Sequence, residues 1–139
     1  MFILIIDVLA ALLLGSMVFF AAIVAPAVVK TLEPDQASKF RRVVFPRYYL
    51  WGIVLSTITL IACLLHSPKG SVLMAFVLAG FVYTRQVLTP KITAARDQWN
   101  ESDNPADKAL FKSLHRRSVQ INAAQMILLV IVIIAFSVR

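Results

Sequence analysis

The chain has one cysteine, two histidines and seven acidic residues among 139. One thiol, Cys63, can build neither a disulfide framework nor a thiolate metal cluster, and its place in an apolar run reads as packing. Charge is absent from four long stretches: between Asp7 and Lys30, from Tyr48 to Leu65, from Gly70 to Thr84, and from Ser118 to Val138. Internal repeats and low-complexity segments are not evident either, which argues against a solenoid or a disordered chain.

Hydrophobic residues make up 60% of the chain, more than a soluble domain of this size normally carries. A helix needs roughly 20 apolar residues to cross a hydrocarbon core. Three of the uncharged stretches meet or nearly meet that length, and the third does so only by including Arg85 and running on to Pro90. The expected fold is all-α: a four-helix integral membrane bundle with amphipathic cytoplasmic connecting helices. One domain over 1–139 would hold spans at about 4–29, 48–66, 70–90 and 118–138, with cytoplasmic segments 30–47 and 91–117. The first span lacks a basic leader and is longer than a signal-peptide core, so it reads as a retained helix.

The net charge of +7 is concentrated in two segments, which makes nucleic acid a poor partner and the membrane surface a good one. Lys30, Lys39, Arg41, Arg42 and Arg47 fall between spans one and two; Arg85, Lys91, Arg96, Lys108, Lys112, Arg116 and Arg117 cluster around the connection from three to four. By the positive-inside rule these segments are cytoplasmic, and both termini and the His66–Gly70 turn lie outside the plasma (inner) membrane.

Glu33-Pro34-Asp35 reads as a helix start, with proline where a missing N–H costs little. Phe40, Val43 and Val44 set against Lys39, Arg41 and Arg42 predict a short amphipathic helix on anionic lipid headgroups, ended by Pro46. After a break over Asn100–Asn104, Pro105 opens a helix expected to continue unbroken into span four. Along it His115, Ser118, Asn122 and Gln125 share one face. Uncharged polar residues of this kind often only bond neighbouring helices.

Arg85, Thr89 and Arg96 form a second stripe on the third helix, with Arg85 expected at the depth of Gln125. An arginine there either snorkels to the headgroups or faces a polar pocket. On the first helix, Ala11 with Gly15 and Ala21 with Ala25 suggest close backbone packing. Pro26 would free a carbonyl and bend the helix, opening a cleft on the cytoplasmic half. Asp7 reads as interfacial rather than as a proton relay.

Phe19-Phe20 through Pro26, Lys30-Thr31-Leu32 and Phe45-Pro46-Arg47-Tyr48-Tyr49, with the later Arg96, Leu114-His115, Ser118 and Asn122, resemble the four-helix membrane family typified by vertebrate transmembrane protein 205. The resemblance spans nearly the whole chain. It implies an inner-membrane bundle of unknown activity, a vertebrate relative linked to platinum-drug resistance, and function at Pro26, Pro46, Tyr48, Arg96, His115, Ser118 and Asn122.

The leading functional expectation is binding or transport of a small anionic or amphipathic ligand in a cytoplasmic-side cleft. Its residues would be Arg85, Arg96, His115, Ser118, Asn122, Gln125 and Tyr48, since arginine and amide donors suit carboxylates and phosphates. With no inverted repeat, transport would call for a homo-oligomer. A haem oxidoreductase with His115 as axial ligand is an alternative, weakened because the other histidine, His66, is expected on the opposite side. Metal export through Met17, Met74, Met126 and Cys63 lacks clustered donors, so no metal site is assigned. The sequence leans away from an enzyme, since Ser118 near His115 has no orienting acid. A structural or assembly role needs no ligand at all.

Overall fold

The computed structural model describes residues 1–138. Four long helices account for nearly all of it: α1, Phe2–Thr31; α2, Pro34–His66; α3, Pro68–Ser102; and α4, Pro105–Ser137. All four are long and apolar enough to cross a membrane, and no strand occurs among the described residues. The chain is an all-α, multi-pass membrane protein. At 30 to 35 residues each, the helices run to about 45–53 Å, well past a hydrocarbon core of about 30 Å.

The helix starts follow from local chemistry. Proline occupies the first position of α2, α3 and α4, where the lost N–H has no helical partner anyway. Glu33 caps α2 in extended conformation with Asp35 in the first turn, as the sequence suggests. Asp103 ends α3 in the left-handed region at φ 51°. Asn104 then caps α4, its side chain accepting from the Ala106 N–H at 3.0 Å. The break expected over Asn100–Asn104 is thus confined to two residues, and α4 runs unbroken from Pro105 as expected.

The connecting segments differ from the expectation. Pro46 does not end a short surface helix, because α2 passes straight through it. Residues 34–47 are the first part of a long helix rather than a separate amphipathic element. A proline loses one hydrogen bond and crowds the preceding turn, but in a bundle neighbouring helices can re-satisfy the freed groups.

Neighbours run α1–α2–α3–α4 and back to α1. In the half that carries both termini, the core is continuous: Ile6, Ala10, Leu13 and Met17 of α1 meet Cys63, Met74, Val77, Leu129, Val132 and Phe136. Glycines permit the closest approaches. A β-carbon on Gly52 would run into the Phe81 ring, and one on Gly70 would lie 2.7 Å from Phe136. Of the small residues expected to do this on α1, the first pair does not: a β-carbon on Gly15 would meet nothing within 4 Å, and Ala11 is exposed. That stripe lies off the face buried by Ile6, Ala10, Leu13 and Met17. Near the termini, Ser137 donates to the Asp7 carboxylate at 3.2 Å, joining the first and last helices.

Candidate functional site

Two helices carry the same local irregularity at the basic end of the bundle. Residues Phe20–Val24 of α1 and Thr84–Leu88 of α3 are wound as π-helix. Ala25 donates its N–H five residues back to Phe20, and Thr89 does the same to Thr84. Each of these residues directly precedes a proline, Pro26 or Pro90. A proline offers no N–H and clashes with the carbonyl four residues back, and widening the preceding turn is one way to absorb that insult. Single π turns of this kind favour functional sites.

With Pro46 of α2, these two prolines surround a cavity of about 930 Å³ between the helices. Its apolar side is an aromatic cluster. The rings of Phe20 and Tyr48 stack at 4.1 Å between centroids, Phe45 lies 5.3 Å from Phe20, and Tyr49 lies 5.1 Å from Tyr48. Its polar side carries Arg41, Arg42, Arg85, Arg96 and His115, with Thr89, Ser118 and Asn122 between them. Asp97 is the one acidic group in the lining, and Arg42 engages it at 2.6 Å in the one ion pair among the described residues. Both partners are about half exposed, so this bridge contributes about 0–1 kcal/mol. Taken together, the lining is strongly positive.

The basic groups differ in what they already hold. Arg85 donates from Nε to the Pro46 carbonyl at 3.3 Å, which points it into the bundle and ties α3 to α2. Arg96 lies over the Phe111 ring, 4.6 Å from its centroid. Phe111 in turn stacks on Trp99 at 5.7 Å and on His115 at 5.9 Å. His115 lies outside the apolar run that begins at Ser118. Partial burial, and then the nearby Arg41 charge, lower its pKa from the ordinary value, so the ring is neutral at pH 7. Burial likewise lowers the Arg41 pKa from its ordinary value.

Six of the residues singled out from the sequence as ligand-binding, Tyr48, Arg85, Arg96, His115, Ser118 and Asn122, are brought together in this lining, as are Pro26 and Pro46. Gln125 is not. It is buried, and its amide donates 2.9 Å to the Val77 carbonyl, packed against Gly80. It keeps the face of His115 and Ser118 but lies beyond the cavity floor. Since Gln125 is level with Gly80, Arg85 stands five residues, about 7 Å, nearer the basic end, not at the same depth.

Sequence reasoning placed Arg41 and Arg42 with Lys39 on a lipid surface. Lys39 is exposed, whereas Arg41 and Arg42 line the cavity. Phe20 and Phe45 entered only through the family motif and were not assigned to the site, and Asp97 was missed altogether. A signal existed for the first group: Arg41, Phe45 and Tyr48 follow at four and three residues, one helical face, but reading Pro46 as a terminator cuts that face in two. Asp97 carries no such pattern, because its partner lies 55 residues away.

The fold and this lining define a multi-pass membrane protein with a basic, aromatic-walled cavity at one end. Residues 8–101, more than half of the chain, match the family described as a domain of unknown function, DUF4149, and the protein belongs to that family. No curated protein and no solved structure matches it.

Proposed function

We propose that this protein binds a small anionic or amphipathic molecule in the basic cavity, as a receptor or as a component of a transport step. The observation that carries the reading is the coexistence, in one cavity, of an aromatic wall and several guanidinium groups opposed by a single, already paired, carboxylate. An apolar wall with a few convergent polar groups is the usual make-up of a small-molecule site. Guanidinium forks suit carboxylates and phosphates. The basic end faces the cytoplasm of a plasma-type membrane on this reading, since each basic residue near an anionic leaflet contributes about 1 kcal/mol. The resemblance to the transmembrane protein 205-like family belongs to the same proposal.

A second reading, a scaffold without ligand, is favoured by the existing partners of Arg42, Arg85 and Arg96. Native mass spectrometry of protein extracted in mild detergent separates the two. Binding predicts a retained anionic adduct that Arg85→Ala loses; a clean protomer or oligomer without adducts, in wild type and variant alike, decides for the scaffold. Labelling of Lys69→Cys and Asn100→Cys from either side of the membrane tests the orientation. Reaction of Asn100→Cys from outside the cell reverses it.

A further inference from the structure

Along most of its length α1 packs against both α2 and α4, but below Phe19 it does not. Ala25–Thr31 comes within 8 Å of α2 between Cα atoms, Phe20–Val24 comes that close to neither neighbour, and no Cα of Phe20–Thr31 lies within 8 Å of α4. Both helices nevertheless line the cavity there, α1 through Ala21, Val24 and Ala25 and α4 through Val119 and Asn122. The wider backbone spacing there would let the cavity open sideways, between α1 and α4. The two edges of the opening belong mainly to the apolar stretches 8–29 and 118–138, with Lys30 of α1 and His115 of α4 in the cavity lining at their basic ends. Ile23 and Val119 beside it are more than half exposed, as expected of side chains that face acyl chains.

A closed bundle would have no reason to leave that gap. The π turn before Pro26 supplies it, because one extra residue in a turn re-aims the helix that follows. The same cavity is lined by two guanidinium groups, Arg85 on α3 and Arg41 on α2, and by the His115 ring of α4. Arg41 makes no hydrogen bond or ion pair among the described residues. A largely apolar slot leading from the acyl layer to guanidinium groups with no carboxylate partner among the described residues matches one chemistry, a long hydrocarbon chain ending in an anion.

We infer that the occupant is an anionic acyl lipid, with a carboxylate or phosphate head, admitted laterally between α1 and α4. Its head meets Arg41 and Arg85, and its chain passes Val24 and Val119 into the bilayer. This rests on the binding reading above and adds to it the ligand class and its route.

The test is native mass spectrometry in a non-ionic detergent, titrating wild-type protein with oleate, oleoyl lysophosphatidic acid, oleylamine and hexanoate. Oleate or the lysophosphatidate is expected to bind, the head that binds more tightly identifying the source, while oleylamine does not bind. Val24→Trp, which fills one edge of the gap, should weaken the acyl anion by about tenfold or more, and by more than it weakens hexanoate. Val119→Trp fills the opposite edge and guards against a folding defect in the first variant. Acyl-anion binding unaffected by either tryptophan, or hexanoate binding as tightly as oleate, overturns the lateral route while leaving the cavity as a binding site. Oleylamine binding as well as oleate overturns the anionic head. No binding of any anion, or wild-type binding by Arg85→Ala, sinks the underlying reading instead.

Discussion

The two halves of the bundle solve different problems with the same four helices. In the half bearing the termini, α1 reaches both neighbours, large side chains such as Phe81 and Phe136 seat against glycines, and the core is continuous. In the basic half, the buried apolar side chains are the scattered Val28, Ala37, Leu88 and Ala95, and a cavity takes the place of a core. Lipid tails are as apolar as leucine, so helices in a membrane associate through close packing and hydrogen bonds rather than hydrophobic burial. Where that packing is given up, the same bundle has room for a ligand. The closed half supplies the stability that lets the other half stay open.

The largest expected effect comes from breaking the closed half. Gly52→Leu drives a side chain into the Phe81 ring and forces α2 from α3. Overpacking costs about 1–3 kcal/mol or more, so the variant should lose a large share of its resistance to denaturant-induced unfolding in mixed micelles.

Arg85→Ala and Gln125→Leu sharpen the contrast. The first removes a guanidinium from the cavity wall and should weaken anion binding by about tenfold or more, the worth of a charge-assisted hydrogen bond. The second removes the bond to Val77, should cost about 0.6 kcal/mol of stability, and should leave binding intact. Titration of both variants beside their unfolding curves checks this; equal binding loss in both would erase the boundary between the halves.

Pro26→Ala tests whether the proline holds the gap open. Returning the N–H lets α1 wind regularly through Phe20–Val24, and relief of the proline clash should raise stability by about 1 kcal/mol or less. Binding should fall severalfold as the helix swings in. Unchanged binding would mean that the packing of α2 and α4, rather than this residue, keeps the halves distinct.

The smallest effect is one of pH. Because the folded protein holds the His115 pKa below the ordinary value, the unfolded chain binds a proton more readily. Stability should therefore decline as pH drops below about 6.5. His115→Gln should flatten that decline in unfolding curves taken between pH 5 and 7. An anionic ligand beside His115 favours the protonated ring, so its affinity should rise over the same interval as pH falls.

How far the site was legible depends on the range of the signal. The stripe from His115 to Asn122 and the pair Arg85 and Arg96 could be placed from helical spacing alone, since spacing fixes which residues share a face. Spacing does not fix depth, so Gln125 kept the right face and yet left the cavity to bond Val77. Arg41 and Arg42 were assigned to lipid because a proline is a local stop signal, and only the neighbouring helices make continuity through Pro46 tolerable.

By itself the sequence determined four apolar helices, the helix starts at Pro34 and Pro105, and the gathering of positive charge around two of the connections. These are properties of composition, capping and runs of uncharged residues, each decided within a few turns of chain. The tertiary structure decided the rest: which small residues meet a neighbour, how Pro26 and Pro90 are absorbed by π turns, the pairing of Arg42 with Asp97, and the gathering of all four helices around one cavity. Those depend on the distance between helices far apart in the chain, a quantity no local pattern encodes.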